Sequence, residues 1–324
     1  MHIKEVLLRL VSLLASATEM IAELGALDQL VGRSHECDYP SIVLSLPVVS
    51  RVAIDTSASS AEIDAQIKQL AEARQMPEDA ALRALSIYAI DIALLQELRP
   101  DVIFTQTQCE VCAVSERDVM RAVEQLTGLQ PRIVALAPHR LTDVWEDLLR
   151  VGEALARQEQ ARQLVQGYQQ RLESLSRRCH ALGGQQKPRV AILEWLDPLM
   201  GAGNWTPELV AYAGGTALFG ESGQHTPWLS WEELQAADPD VLVLAPCGFP
   251  LARTMQDLPI LQRHPAWANL RAVREGRVYA IDGNAYLNRS GPRLVESAAL
   301  LAYALWGEQA GVEIDQAAIQ RSES

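Results

Sequence analysis

Short apolar runs alternate with stretches of helical spacing along most of this chain. Four such runs fall in the first half: RLVSLLAS (9–16), LVGRS (30–34), DVIFTQ (101–106) and RIVALAP (132–138). The segments TEMIAELGALDQ and SERDVMRAVEQLTG, which lie between them, place apolar residues three or four positions apart. Short β-rich runs separated by amphipathic helices predict β–α repeats that build a parallel sheet.

The same alternation returns in the second half of the chain. The apolar runs there are RVAILEW (189–195), VLVLAPC (241–247) and RVYAIDG (277–283), and TPELVAYAGG and SWEELQAADP have helical spacing. The sequence therefore predicts an α/β protein of two Rossmann-like lobes, each with a parallel sheet.

A stretch rich in Gln, Arg and Glu lies between the two halves, over residues 140–182. Its apolar residues recur every three or four positions, with one interruption around Gln158. One face of a single helix of ~40 residues, ~60 Å long at 1.5 Å per residue, would account for this spacing. Thr142 is a candidate N-cap, and Gly183 favours an end nearby. A coiled-coil dimer is the alternative interpretation.

The expected domains are an N-terminal lobe over residues 1–138, a linker helix over 139–183 and a C-terminal lobe over 184–324. The 28 Lys and Arg residues are scattered and the net charge is −13, which argues against a nucleic-acid partner. Five cysteines, an odd number, favour a reducing compartment over a disulfide framework. No apolar run reaches the ~18 residues of a membrane span.

The N-terminus leads directly into the first predicted strand and shows no export signal, so we expect a cytoplasmic protein. An N-terminus trimmed or misassigned upstream is the alternative.

Ligands of parallel α/β sheets bind at the carboxyl ends of the strands, where loops converge. Polar, aromatic and cysteine residues follow each predicted strand at that edge. In the first lobe they are Ser16, Thr18, Glu19, His35, Glu36, Cys37, Tyr39, Gln106, Gln108, Cys109, Glu110 and Cys112. In the second lobe they are Glu194, Trp195, Asn204, Trp205, Cys247, Phe249, Asn284, Tyr286, Asn288 and Arg289. If these edges face each other, one cleft would collect both sets.

Several of these residues have a purely structural alternative. The polar residues 16–19 could cap the first helix, and Trp195 and Trp205 could belong to the core. Cys247 ends an apolar run, which favours a small buried hydrophobe.

The most specific motif is the CxxC pair of Cys109 and Cys112, directly after a predicted strand. Such a pair fits metal thiolates, a redox couple, or a loop that shapes a ligand pocket. The chain has no second pair at matching spacing, so a zinc site would have to recruit His35, Cys37 or Cys247 from other loops.

Longer segments resemble a known family. LLASATEMIAELGALDQLVGRSHECDYP, LRPDVIFTQ and LQAADPDVLVLAPCG are similar to the helical-backbone substrate-binding proteins of ABC importers, over about residues 8–308. Within that group, SHECDYP and CEVCAVS resemble a signal-less branch of the cobalamin-binding proteins. The resemblance implies two lobes on a linker helix and a ligand between them. Relatives carry corrinoids, haem, siderophores or metal ions on the same scaffold.

We therefore expect a binding protein, not an enzyme, whose ligand is a corrinoid such as cobalamin. Aromatic residues would pack on its faces, Asn204, Asn284 and Arg289 would bond its periphery, and His35 or a cysteine would ligate its metal. The alternatives are another metal chelate, a metal ion, a scaffold that has lost its ligand, or a cytoplasmic enzyme that uses His35, Glu36 and the CxxC pair on a corrinoid.

The resemblance also implies a membrane partner. Importer-bound relatives offer an acidic residue on each lobe to arginines of the permease. Glu232 in SWEEL matches the second-lobe acid, whereas Ala93 in DIALLQELRPD stands where the first-lobe acid is expected. With half of this pair absent, we expect intracellular holding or delivery of the ligand. A periplasmic location with an ABC permease is the alternative.

Overall fold

A computed structural model of the chain describes residues 7–51, 55, 58–73, 89–106, 123, 128–184 and 186–322. The chain divides into two compact units. Unit 1 comprises residues 1–58, 62–138 and 143–165, and unit 2 comprises residues 59–61, 139–142 and 166–324.

The strands of unit 1 are β1 (Leu10–Ser12), β2 (Leu30–Arg33), β3 (Ser50–Arg51), β4 (Ala89–Ile90), β5 (Val102–Gln106) and β6 (Arg132–Leu136). The main sheet has the order β2-β1-β5-β6 with every pair parallel, while β3 and β4 form an antiparallel pair. Val11, Ile103 and Ile133, from the three adjacent strands β1, β5 and β6, pack together in its core. The first strand is shorter than the predicted run 9–16 because a helix begins at Ala15.

The strands of unit 2 are β7 (Arg189–Leu193), β8 (Trp195–Leu196), β9 (Leu199–Met200), β10 (Thr216–Ala217), β11 (Val241–Leu244), β12 (Val278–Ile281) and β13 (Ile319–Arg321). The main sheet has the order β10-β7-β11-β12-β13 and is parallel apart from β13, which pairs antiparallel with β12. A separate hairpin is formed by β8 and β9. The central strand β11 is fully buried, as expected for a parallel strand covered on both faces.

The α-helices of the described residues are α1 (Ala15–Glu23), α2 (Ser60–Ala73), α3 (Ile92–Leu98), α4 (Leu141–Ala154), α5 (Gln158–Gly183), α6 (Thr206–Tyr212), α7 (Trp231–Ala237), α8 (Leu251–Gln262), α9 (Arg271–Arg274) and α10 (Leu294–Trp306). Short 3-10 turns lie at Leu27–Gln29, Ser41–Ser45, Trp267–Asn269, Gly307–Ala310 and Gln316–Ala318. In the part of the chain that the structure describes, no helix is both long and apolar enough to cross a membrane.

The predicted linker is divided into two helices, so the expectation of one uninterrupted helix of ~40 residues is wrong. α4 and α5 are separated at residues 155–157, where Ala156 has a φ of 56°. Such a left-handed residue ends a helix, since the next N–H groups turn back to earlier carbonyls. Thr142 lies inside the first turn of α4 and is not its N-cap. The long helix α5 remains, with the boundary between the units at Val165–Gln166 inside it.

Both units repeat one local arrangement. A short helix ends at a residue with positive φ, a proline follows, and an aspartate accepts the backbone N–H of an arginine at the start of the unit's first strand. These residues are Arg99, Pro100, Asp101 and Arg9 in unit 1, and Asp238, Pro239, Asp240 and Arg189 in unit 2. The two N–H to carboxylate distances are both 2.8 Å.

The repeat places α3 and α7 in equivalent positions. Asp91 and Ser230 are their N-caps, and each side chain accepts a backbone N–H of the first turn. Ala93 and Glu232 are therefore each the second residue of the helix, and both are exposed. The fold class is confirmed: each unit is α/β with parallel strands, and a long helix joins their sequences.

Candidate functional site

Buried polar side chains gather where β1 and β2 end in unit 1. They are Ser12, Ser16, Thr18, Glu19, Arg33, Ser34 and Cys37, each no more than 8% exposed. The first helix has Leu14 as N-cap and no side-chain cap, so capping by the predicted residues Ser16, Thr18 and Glu19 is wrong. They lie within α1, from which Thr18 reaches Cys37 in the loop after β2.

The thiol of Cys37 lies at the centre of this cluster. Thr18 donates its hydroxyl to Cys37 Sγ at 3.0 Å, and the Ser34 hydroxyl lies 3.3 Å from the same sulfur. The thiol in turn points to the Ser12 carbonyl oxygen at 3.8 Å. Cys37 thus connects the loop that follows β2 to Thr18 of α1 and to the end of β1.

Sequence reasoning missed Arg33, the last residue of β2. Its Nη1 donates to the carbonyl oxygens of Ser34 and Cys37 at 3.0 and 3.1 Å, and its Nη2 donates to that of Leu44 at 3.4 Å. One buried guanidinium therefore fixes both ends of the loop 34–44. A charged residue at the end of an otherwise apolar strand was the available signal.

His35 is the predicted site residue with the most defined geometry in unit 1. Both its backbone N–H and its ring Nδ1 contact Ser50 Oγ, at 3.1 and 2.8 Å. Its Nε2 lies 3.9 Å from a carboxylate oxygen of Glu36. The Ser50 contact orients the ring. Ser50 has no signal in the sequence, because it belongs to the short strand β3, 15 positions further along the chain.

A run of exposed apolar residues follows His35. Tyr39, a predicted site residue, is 48% exposed, and Ile42 and Leu44 are 67% and 54% exposed. Side chains of this kind on a loop fixed by Arg33 provide an apolar surface beside the histidine.

Backbone hydrogen bonds join three strand-end loops of unit 2. The Cys247 N–H donates to the Glu194 carbonyl oxygen at 3.1 Å, which connects the loops after β11 and β7. The N–H groups of Gly283 and Asn284 donate to the Phe249 carbonyl oxygen at 2.9 and 3.1 Å, which connects the loops after β12 and β11. The predicted residues of these loops are therefore neighbours, as the carboxyl edge of a parallel sheet requires.

Aromatic rings meet at this edge. The centroids of Trp195 and Phe249 are 5.2 Å apart with ring planes tilted by 59°, and the Arg253 guanidinium lies 5.1 Å from the Phe249 centroid. Sequence reasoning missed Trp228, which is 54% exposed and bridges to Met200, the hairpin partner of Trp195. The motif TPWLSW offered a signal, since a large exposed aromatic side chain beside a candidate site favours binding.

Glu194 is a buried carboxyl at the same edge. Burial raises its pKa from the ordinary value of 4.5 to about 7, against the opposing hydrogen bond from Thr226, the charge of His225 and the N–H of Gly203. Thr226 Oγ1 donates to Glu194 Oε2 at 3.1 Å. Gly203 must be a glycine, because an added Cβ would lie 2.5 Å from the Gln224 carbonyl oxygen. One carboxyl group thus ties together two loops that cross closely.

The remaining predicted residues of unit 2 differ in exposure. Arg289 is 8% exposed and donates to the side-chain oxygen of Asn284 at 3.2 Å. Trp205 is 5% exposed and donates its indole N–H to the Leu287 carbonyl oxygen at 2.6 Å, which makes it a core residue. Cys247 is exposed, so the expectation of a small buried hydrophobe is wrong. It follows a Pro that ends the apolar run, and the chain turns outward there.

Three further predicted residues at this edge are Asn204, Asn288 and Tyr286. Asn204 has a φ of 51° where the loops cross, and Asn288 donates its side-chain amide to the Ala245 and Gly283 carbonyl oxygens at 2.8 and 3.1 Å. Tyr286 is half-buried with the Arg293 guanidinium 5.4 Å from its ring centroid, and burial raises the pKa of its phenol.

Part of the candidate site lies outside the described residues: Gln108, Cys109, Glu110 and Cys112. Gln106, at the end of β5, is half-buried. Among the described residues, no three His, Cys, Asp or Glu side chains gather as a metal site would require.

The geometry defines a class of protein: α/β units whose strand-end loops carry aromatic, amide and histidine side chains, as ligand-binding proteins do. A family model described as periplasmic binding protein matches residues 10–285, and the chain belongs to this family. Members of the family are substrate-binding components that bind small metal-containing ligands and work with ABC permeases.

Several solved structures share the fold. A periplasmic haem-binding protein from Pseudomonas aeruginosa is 22% identical with a TM-score of 0.66, over 92% of each chain. A periplasmic vitamin B12 binding protein from Vibrio cholerae is 21% identical with a TM-score of 0.61, over 94% of this chain and 98% of that one. A possible iron-binding protein from Staphylococcus epidermidis is 16% identical with a TM-score of 0.65, over 93% and 99%. No curated protein matches the sequence significantly.

Proposed function

We propose that this member of the family binds a corrinoid of the cobalamin type at its strand-end loops. The observation that carries the proposal is the aromatic group of unit 2, in which half-buried Trp195 packs on Phe249 and exposed Trp228 forms an isolated β-bridge with Met200 of β9. A large, flat ligand with apolar faces gains most from such rings, because they bury wide area at low entropic cost.

The polar residues around these rings favour a corrinoid. Asn284 and Arg289 form a hydrogen-bonded pair, and Asn204 lies in the loop that Glu194 holds. Amide side chains pair with the amide-rich rim of a corrinoid, and a guanidinium pairs with its phosphate. Haem carries carboxylates instead and would gain less from the asparagines.

His35 keeps haem as the second candidate. Its ring is oriented through Nδ1 by Ser50, and an oriented imidazole is a common ligand of the metal in a chelate. Both cobalt in a corrinoid and iron in haem accept an imidazole nitrogen.

The experiment that tests the proposal is calorimetric and spectroscopic titration with cyanocobalamin, cobinamide and hemin. We expect one corrinoid per chain, and weaker binding by Trp195→Ala. His35→Ala should remove the change in the cobinamide spectrum without removing binding. Heat and spectral change with hemin alone would reverse the order of the two candidates, and no signal from any of the three would refute both.

A binding role also distinguishes this protein from a corrinoid-processing enzyme. Bound cobalamin recovered after prolonged incubation, with and without a thiol, should be chemically unchanged. Turnover that iodoacetamide abolishes would instead favour the enzyme built on His35, Glu36 and the cysteines.

Intracellular holding or delivery of the ligand is the proposed role in the cell. Ala93 is neutral at the helix position where Glu232 of unit 2 is acidic, which supports a weakened permease partnership. Fractionation of host cells tests it: recovery from the periplasm together with a permease would replace delivery with import.

A further inference from the structure

Phe249 of the proposed site is held from two sides. Trp195 packs on one side of its ring, and the Arg253 guanidinium lies 5.1 Å from its centroid. Phe249 is only 6% exposed, so its position decides how far Trp195 stands out as a surface for a ligand. A guanidinium near an aromatic ring is attracted to the ring electrons, and this attraction holds the ring only while the guanidinium stays in place.

Arg253 is itself held by a carboxylate. Its Nη2 lies 3.3 Å from Asp257 Oδ2, one turn further along α8. Asp257 is 8% exposed, so this ion pair is largely shielded from water. A shielded pair of this kind keeps its geometry only when the remaining lone pairs of the carboxylate are satisfied.

The additional partner of that carboxylate comes from a distant part of the chain. Ser60, the first residue of α2, donates its hydroxyl to Asp257 Oδ2 at 3.1 Å. Ser60 is fully buried, and residues 59–61 belong to unit 2 although 197 positions separate Ser60 from Asp257. Ser60, Asp257 and Arg253 therefore form one hydrogen-bonded chain that ends on the Phe249 ring.

We propose that the chain Ser60–Asp257–Arg253 positions the Phe249 ring against Trp195, and so makes the start of α2 part of the ligand-binding apparatus. The inference rests on the proposed function and adds three positioning residues to it. None of the three needs to touch the ligand. Because linkage is reciprocal, a ligand that packs on Trp195 should also stabilise the start of α2.

The first test measures affinity for cobinamide by calorimetry. Loss of a hydrogen bond to a charged group leads us to expect about fivefold weaker binding for Ser60→Ala and about tenfold for Asp257→Asn. Ser60→Thr, which keeps the hydroxyl, should restore most of the affinity. Thr254→Val is the matched control: it removes a buried hydroxyl of the same helix, which donates to the Pro250 carbonyl oxygen, and should leave affinity within roughly twofold.

A double-mutant cycle separates positioning from general stabilisation. In a Phe249→Leu background, Ser60→Ala should cause no further loss of affinity, since the ring through which it acts is gone. An equal loss in both backgrounds, or wild-type affinity of Ser60→Ala, would overturn the inference.

A measurement without ligand keeps the inference independent of the proposed function. The fluorescence of Trp195 is obtained as the difference between each protein and the same protein with Trp195→Phe. Acrylamide should quench this fluorescence more strongly in Ser60→Ala than in the wild type, and equally in Thr254→Val. Failure of the wild type to bind any corrinoid would refute the proposed function alone. An unchanged Trp195 signal in Ser60→Ala would refute the positioning role.

Discussion

The hydroxyl of Thr226 donates a hydrogen bond to the buried carboxyl group of Glu194, 3.1 Å away, in unit 2. The same carboxyl group accepts the N–H of Gly203, so that one titratable side chain joins two loops of the candidate site. Its protonation state should therefore affect both the stability of the fold and the ligand-binding edge.

We expect stability to fall as pH rises through the range set by Glu194. Burial raises its pKa from 4.5 to about 7, so the folded state keeps a proton that the unfolded chain has already lost. Stability is then highest below about pH 4.5 for this group and is lost progressively up to about pH 7. The difference corresponds to ~3 kcal/mol. Urea unfolding at several pH values measures the slope, which Glu194→Gln should reduce.

Asp147 in unit 1 supplies the control for this slope. Burial raises its pKa from 3.8 to about 7, while Arg150 opposes the shift, and one of its carboxylate oxygens has no hydrogen-bond partner among the described residues. Glu194→Gln should therefore keep a residual slope of the same sign, and Asp147→Asn combined with it should remove most of the remainder. A slope that neither variant changes would contradict both assignments.

Trp228→Ala should weaken corrinoid binding and leave the fold intact. Its side chain is 54% exposed, so its removal should change the free energy of unfolding by no more than about 0.5 kcal/mol. A stacked aromatic ring lost from a site costs roughly 1–2 kcal/mol of binding, or about tenfold in affinity.

The matched control for Trp228 is Trp306→Phe, which removes another indole of unit 2, bonded to the Ala213 carbonyl oxygen. It should lower stability and leave affinity unchanged. If both variants bind cobinamide as the wild type does, Trp228 is only a surface residue.

The junction of α4 and α5 predicts opposite results for two glycine substitutions. A Cβ added at Gly152 would lie 2.5 Å from the Ala161 Cβ, so Gly152→Ala should destabilise the protein by about 1–3 kcal/mol. A Cβ at Gly167 in α5 meets nothing within 4 Å, so Gly167→Ala should stabilise it by up to ~1 kcal/mol. Thermal unfolding of the two variants measures the contrast, and equal shifts would show that the helices pack differently here.

The N-terminal positions of α3 and α7 predict how charge affects a permease partner. We expect weak association with an ABC permease for the wild type, stronger association for Ala93→Glu and none for Glu232→Ala, because complementary charges steer and orient docking. Co-purification at low and high salt measures the differences. Tight association that is independent of Glu232 would contradict the assumed contact.

The strands could be predicted because buried parallel strands leave continuous apolar runs such as VLVL, and the start of α7 because Ser230 and Glu233 form a capping box. The break between α4 and α5 could not be predicted, because an alanine, not a glycine, takes the left-handed conformation at position 156. Pattern reasoning also could not find the contact between Ser60 and Asp257, since nothing local links residues 197 positions apart.

The candidate site residues also divide into those that the sequence could predict and those that it could not. The strand-end rule collected Trp195, Phe249 and Asn284, whose loops are joined by backbone hydrogen bonds. It missed Ser50, which lies in the short strand β3 outside the main sheet, and Trp228, which lies just before α7 and far from the end of a strand.

The exposed thiol of Cys247 provides an experimental handle. Among the described cysteines, Cys37 and Cys179 are buried, so a maleimide dye should label Cys247 first in a variant that carries serine at positions 109 and 112. The backbone N–H of Cys247 is bonded to Glu194, beside Trp195. A dye attached there would convert the protein into a fluorescent sensor, whose emission reports occupancy of the proposed site in real time.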